Sequence, residues 1–197
     1  MSDQGRSEVL HGVRIKGIAT PEALSVALGA GEAEVLAALQ ELERRDLVLQ
    51  RRSRKRPGWV LTEAGRAAHA EWLANAHDAV TLAGLEGSYQ GFLGVNAEVK
   101  ALSARWQSES RDAARIALVD EVEALHERAI PALSASAQAV PRFGRYRDRL
   151  ATALERLDED PEYFVSPRVD SYHTVWFECH EDYLLTLGRT RAEEGSE

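Results

Sequence analysis

Residues 47–66 read LVLQRRSRKRPGWVLTEAGR, and the fold expected of the N-terminal part of the chain follows from this stretch. Two short apolar runs, Leu47–Gln50 and Trp59–Leu61, are typical of β-strands. Between them lie five cationic residues and the pair Pro57-Gly58, which is a turn signal. The stretch therefore predicts a β-hairpin with a strongly basic tip.

Helical patterns precede this hairpin. Residues 8–18 carry apolar side chains at a rough helical spacing. Thr20-Pro21-Glu22 predicts a helix start, with Thr as N-cap, Pro in the first turn and an acid beside the positive helix end. This helix is expected to end at Gly29 and to bury Leu24, Val26 and Leu28.

A third helix is predicted from Glu32 to about Arg45, and Thr62 is expected to cap a fourth helix that begins at Glu63. The apolar stripe of the third helix consists of Val35, Leu36, Leu39 and Leu42. The order helix, helix, helix, strand, basic turn, strand, helix predicts a winged helix-turn-helix.

Two strings, EVLAALQELERRDLVLQRR at 34–52 and GWVLTEAGRAAH at 58–69, resemble MarR- and PadR-type regulators. The most specific part is the Leu-Thr-x-x-Gly-Arg motif, here Leu61–Arg66. The resemblance covers about residues 8–75. It implies a DNA-binding module in which the third helix enters the major groove and the hairpin, or wing, lies along the flanking backbone.

Charge is distributed unevenly along the chain, whose formal net charge is −8. Seven of the eleven Lys and Arg residues before position 76 fall between Arg44 and Arg56. Because salt screens charges beyond about 8–10 Å, a local cluster matters more than the total. We expect five wing cations to contact phosphates: Arg51, Arg52, Arg54, Lys55 and Arg56.

Base contacts are expected from exposed positions on the third helix, since Gln and Arg form bidentate contacts with adenine and guanine. The candidates are Gln40, Glu41, Arg44 and Arg45. Four acids of this helix (Glu32, Glu34, Glu41 and Glu43) would repel phosphate if they faced it. The alternative is therefore a winged helix that serves as a protein-interaction adaptor without DNA binding.

The rest of the chain predicts a helical bundle after a junction at Asn75–Gly87. Helices are expected at Ser88–Ser108, at 110–130, at Arg142–Leu157 and at Tyr172–Leu187. Pro131 is expected to kink or restart the second of these, and Pro141 to end its continuation. Asp170 or Ser171 is the expected cap of the last helix, and Gly188 its αL terminus. The predicted domains are 1–80, the DNA-binding domain, and 85–190, a helical domain for effector binding and dimerisation.

The last predicted helix carries aromatic and histidine side chains on several faces, so we expect it to be central to its domain. One hypothesis is a ligand pocket for a small-molecule effector, lined by Asn96, Trp106, His173, Trp176, Phe177 and His180. The other is a core of satisfied hydrogen bonds. A metal site formed by His173, Glu178, His180 and Asp182 is disfavoured, because the two histidines lie about 10 Å apart along the axis.

The strings YQGFLGVNAEVKALSARWQ at 89–107 and SYHTVWFECHEDYLLTLGR at 171–189 are similar to an actinobacterial group of MarR-like regulators. That resemblance implies no particular effector. We find no catalytic arrangement, since Ser171 and His173 point to different sides of a helix, and we expect no cofactor and no bound metal.

A single cysteine, Cys179, excludes an intramolecular disulfide. No secretory signal and no membrane span are apparent, so the expected location is the cytoplasm. We expect a homodimer, because one winged helix makes a small footprint and two-fold symmetry suits a palindromic operator. Its dimer surface is expected to involve the helix after the wing together with C-terminal helices.

Overall fold

The computed structural model describes residues 1–109 and 112–191, with the side chains of 112–116 left aside. The protein is mainly helical, with one small two-stranded antiparallel sheet. The chain forms two compact units, and the boundary lies between His77 and Asp78. Each unit has its own apolar core.

Three helices open the first unit: α1 (Asp3–Lys16), α2 (Pro21–Leu28) and α3 (Glu32–Arg44). The start of α2 follows the predicted signal, because the Thr20 hydroxyl accepts a hydrogen bond from the Ala23 N–H at 3.2 Å. Gly29 ends α2 in the left-handed region, as expected. The N-terminal helix begins earlier than the sequence pattern indicated, since the Ser2 side chain caps it.

The hairpin follows as β1 (Val48–Arg51) and β2 (Gly58–Leu61), which are paired antiparallel with Val48 opposite Leu61. Ala19, between α1 and α2, joins this sheet through one bridge to Trp59, with N···O distances of 3.0 and 2.7 Å. The helix α4 (Glu63–Asn75) then begins at Thr62, whose hydroxyl accepts from the Gly65 N–H.

Two residues predicted to be buried are exposed: Val26 at 56% and Leu36 at 38%. The buried positions of α3 are Val35, Ala38, Leu39 and Leu42, which centre the inward face about 100° away from Leu36. Leu36 therefore lies at the edge of the predicted stripe rather than on it. In the short helix α2, Leu24 alone is fully buried.

The second unit begins with two long helices, α5 (Ala79–Ser108) and α6 (Asp112–Ala139). They form an antiparallel hairpin, in which Ser88 and Glu98 of α5 meet Ser136 and Arg128 of α6 respectively. A 3-10 turn at Pro141–Phe143 leads into the remaining helices, which are α7 (Gly144–Leu157), α8 (Glu162–Val165) and α9 (Tyr172–Thr186).

Several predicted boundaries in this unit are wrong. The junction expected up to Gly87 is short, because Asp78 caps α5 and the helix continues through Gly84 and Gly87. Pro131 lies inside the continuous helix α6, so of the two effects expected of it, a kink or a restart, the restart is wrong. The last helix agrees better with the prediction: Ser171 caps α9 and Gly188 has a φ of +66°.

The core of the second unit runs between α5, α6, α7 and α9 and is rich in aromatic rings. Phe92 stacks on Trp176 with ring centroids 4.3 Å apart, and Tyr183 lies 5.0 Å from both Phe92 and Tyr89. The inward packing of α9 confirms that it is central to this unit. Within the described ranges, no helix is both long enough and apolar enough to cross a membrane.

Candidate functional site

The turn between α3 and β1 fixes the hairpin to the end of α3. Asp46 adopts a φ of +56°, and the Leu47 N–H returns to the Leu42 carbonyl at 2.9 Å. The carbonyl of Asp46 accepts from the Thr62 hydroxyl at 2.6 Å, and that of Leu47 accepts from the Thr62 N–H at 3.1 Å. These bonds tie the base of the wing to both of its flanking helices.

The Leu61–Arg66 motif has a physical explanation in these contacts. Thr62 is the N-cap of α4, and the Arg66 guanidinium donates to the Leu61 carbonyl at 3.2 Å. Gly65 lies so close to β1 that an added Cβ would stand 1.8 Å from the Leu47 carbonyl oxygen. The motif therefore joins the end of the hairpin closely to α4.

All five predicted wing cations are exposed at the hairpin: Arg51, Arg52, Arg54, Lys55 and Arg56. Arg52 donates from Nε to the Gln50 side-chain oxygen at 3.3 Å. In the part of the chain that the structure describes, none of the five forms an ion pair. The hairpin therefore presents a concentrated and uncompensated positive charge to solvent.

The outward face of α3 contains Ala33, Ala37, Gln40 and Arg44, which follow one another at intervals of four, three and four residues and are all exposed. Leu36 flanks this row. Of the predicted base-reading residues, Gln40, Arg44 and Arg45 are exposed, whereas Glu41 is half-buried. Gln40 and Arg44 are therefore accessible on the outward face of α3, and Arg45 is accessible at its C-terminal end.

Three of the acids on α3 have partners within the unit, and one of them is Glu34, whose carboxylate lies 4.0 Å from the Met1 ammonium. Glu41 forms an ion pair with Arg44, and this contact lowers the pKa of Glu41 below its ordinary value. Glu43 accepts from the Gln50 backbone N–H at 3.3 Å and so supports the start of the wing. Glu32 and Glu34 lie in the first turn of α3, where the helix dipole favours negative charge.

The C-terminal candidates lie mostly in the core. The Trp176 indole N–H donates to the Asn96 side-chain oxygen at 2.9 Å, and both residues are buried. His180 Nε2 lies 3.3 Å from the Tyr89 hydroxyl and its ring packs against Phe92, which also stacks on Trp176. The structure thus brings Asn96, Trp176 and His180 together, with their polar groups bonded to core neighbours.

The other three candidates lie elsewhere. Phe177, expected on the inward face, is 49% exposed, and the Arg191 guanidinium covers its ring at 4.2 Å. His173 is half-buried. Trp106 is buried against Phe164, with ring centroids 4.9 Å apart. Around the helix, Phe177 is turned about 100° from Trp176 and about 60° from His180, which takes its side chain off the buried face.

Burial lowers the pKa values of three histidines in this unit. The largest effect is on His180, whose pKa falls from 6.5 to about 4 because of burial and, to a lesser degree, the charges of Arg191 and Lys100. Burial also lowers the pKa values of His173 and His126. All three are therefore neutral at pH 7, and none of them adds positive charge to the core.

Two buried arginine clusters were missed by the sequence analysis. Arg142 donates to the Asp182 carboxylate and to the Thr186 hydroxyl, and the Tyr146 hydroxyl donates to the same carboxylate at 3.0 Å. Arg149 donates to Asp170 and to Glu178. A signal existed, since Arg142, Tyr146 and Arg149 follow a helical spacing and so do Glu178 and Asp182.

These clusters also explain two residues that were considered as metal ligands. Glu178 and Asp182 bind the buried guanidinium groups of Arg149 and Arg142. Among the described residues, no three His, Cys, Asp or Glu side chains come together in a way that could hold a metal ion. In the first unit, His11 and His69 are buried against each other, with Nδ1 and Nε2 2.8 Å apart, another contact that the sequence did not indicate.

A charged groove of about 260 Å³ lies along the α5–α6 hairpin. None of the residues that line it belongs to the predicted ligand site. Two ion pairs cross it, Arg105 with Glu121 and Arg128 with Glu98. All four side chains are substantially exposed, so each pair contributes little to stability. Each cation faces an acid, and the groove carries no net charge from these four residues.

Comparison of the chain with known proteins finds no matching family model, no matching curated protein and no matching solved structure.

Proposed function

We propose that this chain is a DNA-binding transcriptional regulator whose N-terminal unit is a winged helix-turn-helix. The observation that carries the proposal is the hairpin at residues 51–56, in which five exposed cations without ion pairs in the described chain stand next to an exposed face of α3. The bridge from Ala19 to Trp59 supports it further, because it attaches the base of the hairpin to the helices.

The chemistry of the hairpin favours a polyanion. Concentrating five cations in six positions costs free energy through their mutual repulsion, and phosphate groups relieve that repulsion. Double-stranded DNA presents a regular row of phosphates beside each groove. A wing on the backbone would place α3 in the adjacent major groove, where its exposed side chains could reach base edges.

The acidic residues of α3 are compatible with this arrangement. The charge of Glu41 is compensated by Arg44, and the carboxylate of Glu43 is held at the start of the wing by the Gln50 N–H. Arg44 can exchange Glu41 for a phosphate or a guanine, since an exposed ion pair of this kind contributes little to stability. Pairing in the free protein therefore leaves DNA binding open to Arg44.

We propose that the protein acts as a homodimer, because a single module gives a small footprint and weak binding. Control by a small molecule bound in the second unit is the other part of the proposal. A ligand near Asn96, Trp176 and His180 would have to compete with their mutual hydrogen bonds. A metabolite screen by thermal shift tests this part, and a complete absence of stabilising compounds would count against it.

The test of DNA binding is a triple variant, Arg54→Ala, Lys55→Ala and Arg56→Ala, assayed on genomic duplex fragments at several salt concentrations. Each lost phosphate contact reduces the slope of log K against log salt by about 0.9. We expect weaker binding on all sequences and a slope that is flatter by about two to three units. The matched control replaces Lys100, Arg147 and Arg168 by Ala, which removes the same charge from the second unit.

The outcomes separate the alternatives. An equal loss in the control would indicate a nonspecific effect of total charge, and an unchanged slope in the wing variant would refute the wing assignment. A protein that binds no duplex even at low salt would contradict the whole proposal and would favour the adaptor function.

A further inference from the structure

The outward face of α3 has an unusual composition for a surface opposite phosphates. From Ala33 to Gln40 its exposed side chains are two alanines, one leucine and one glutamine, with Glu34 at the edge of the face and no cation. We propose that this face reads A·T base pairs, with Leu36 in contact with thymine methyl groups and Gln40 bonded to adenine. This inference rests on the proposed DNA binding and specifies what the reading helix recognises.

The exposure of Leu36 is the first argument. Its side chain is 38% exposed, whereas the other branched aliphatic residues of α3 (Val35, Leu39 and Leu42) are at most 2% exposed. The exposed part of Leu36 contributes nothing to the fold, and one methyl group buried on binding contributes to affinity. Leu36 is therefore available to a partner that offers an apolar surface.

Geometry is the second argument. Ala33, Ala37 and Gln40 form a row on the outward face, and Leu36 lies one helical turn before Gln40, beside the two alanines. Because the side chains of the two alanines are short, the middle of the helix can approach the floor of the DNA major groove closely. The longer side chains of Leu36 and Gln40 then extend from a surface that sits close to the base edges.

The chemistry of base edges is the third argument. In the major groove an A·T pair presents the adenine N7 acceptor and N6 donor together with the thymine methyl group. A glutamine amide matches the adenine pattern, and aliphatic side chains match the methyl group. Guanine is read mainly by Arg or Lys, and the one cation of this row, Arg44, lies at its C-terminal end, so the stretch from Ala33 to Gln40 carries no guanine-reading side chain.

The experiment starts with the full-length protein and a library of random duplexes, from which bound sequences are selected. The selected duplex is then remade with deoxyuridine in place of thymidine, one position at a time, which removes only the methyl group. We expect enrichment of A·T pairs. We also expect binding to fall about fourfold at one or two thymines, the effect of losing one buried methyl group.

The variants assign the effect to the residues. Leu36→Ala should weaken binding to the thymine duplex and abolish the difference between thymine and uracil at those positions. Gln40→Ala should lower the preference for adenine by about tenfold at its own position. The matched control is Val26→Ala, a still more exposed aliphatic side chain on α2, which should leave binding and the uracil effect unchanged.

The results separate a failure of the A·T reading from a failure of the proposed DNA binding. Absence of duplex binding would overturn the proposed function itself. Binding without sequence enrichment, or with enrichment of G·C pairs, would overturn the A·T reading while DNA binding stands. A uracil effect that persists in full in Leu36→Ala would show that another residue contacts the methyl group, and circular dichroism of each variant verifies that it is folded.

Discussion

Gly65 shows how one position can be required by its surroundings. Alanine there would place its Cβ 1.8 Å from the Leu47 carbonyl oxygen, so either β1 or α4 must move. We expect Gly65→Ala to lower the free energy of unfolding by about 3 kcal/mol, as overpacking against rigid backbone does. Urea unfolding followed by circular dichroism and by tryptophan fluorescence, to which Trp59 of the same core contributes, measures the loss.

The control for Gly65 is Gly94→Ala. Gly94 lies in α5 with no atom within 4 Å of an added Cβ. Alanine at an open helical position is more favourable than glycine by up to about 1 kcal/mol. Equal effects of the two substitutions would contradict the close contact at Gly65.

His180 gives a prediction for pH. Its pKa is about 4 in the folded protein and 6.5 when exposed, so the unfolded chain takes up this proton first as the pH falls. Its contribution to stability is complete above pH 6.5 and is lost as the pH falls towards 4. Glutamine cannot take up that proton. Between pH 7 and pH 4 we therefore expect the free energy of unfolding to fall less in His180→Gln than in the parent chain, by up to about 3 kcal/mol.

Chemical unfolding at several pH values measures this difference. His126 and His173 remain in the variant and keep their smaller contributions of the same sign. Identical pH profiles for the two proteins would mean that His180 is not buried as described.

At the scale of elements, α6 contains a proline that lowers the stability of the helix, and replacing it should raise that stability. Pro131 is exposed on α6 and cannot donate a backbone hydrogen bond to the preceding turn. We expect Pro131→Ala to raise the free energy of unfolding by about 1–3 kcal/mol. Urea titration measures the gain, with the exposed Gln138→Ala on the same helix as a near-neutral control. A loss of stability would indicate that Pro131 is needed to shape α6.

The contact between the 3-10 turn and α9 depends on a buried ion pair. Replacing Arg142 by Met leaves the Asp182 carboxylate buried without its guanidinium partner. Such a change typically costs 3–5 kcal/mol, roughly, whereas replacing both partners by apolar residues costs much less. We expect Arg142→Met to be more destabilising than the double variant Arg142→Met, Asp182→Leu. The reverse order in thermal unfolding would contradict this account.

Element boundaries were predictable where a short local signal fixes them. Thr20, Thr62 and Ser171 each cap the helix that follows, and a side-chain oxygen next to free backbone N–H groups is a property of neighbouring residues alone. The glycines of α5 gave a false signal. Gly91 lies where α6 comes close, since an added Cβ would stand 3.2 Å from the Ala132 Cβ, and packing between helices is invisible in a local pattern.

The candidate site was predictable to a different degree in each unit. Charge clustering identified the wing cations without any knowledge of packing, because exposed charge is nearly independent of the core. The buried cluster of Asn96, Trp176 and His180 was foreseen only as a group on one helix. The contacts of Tyr89 and Phe92 with this cluster come from a helix 80–90 positions earlier in the chain. The spacing of residues along the sequence does not reveal which distant helices pack together.

At the scale of the whole molecule, the proposed regulator should be a dimer. Sedimentation should give a mass of twice the 21.8 kDa of the chain for the free protein, and that mass plus the mass of the duplex for the complex with a palindromic site. A duplex carrying one half-site should bind much more weakly, because the two modules then lose the advantage of simultaneous contact. A monomer at all concentrations, on DNA as well as in solution, would contradict the dimeric assembly.

The only cysteine of the chain, Cys179, is fully buried, and burial in an acidic neighbourhood raises the pKa of its thiol well above the ordinary value. The thiolate is the form of cysteine that reacts with thiol reagents, so this side chain should not react with maleimide dyes in the native protein. A cysteine introduced at an exposed position, such as Val26 or Val80, would then be labelled alone. Fluorophores could thus report on either unit separately without any prior removal of the native thiol.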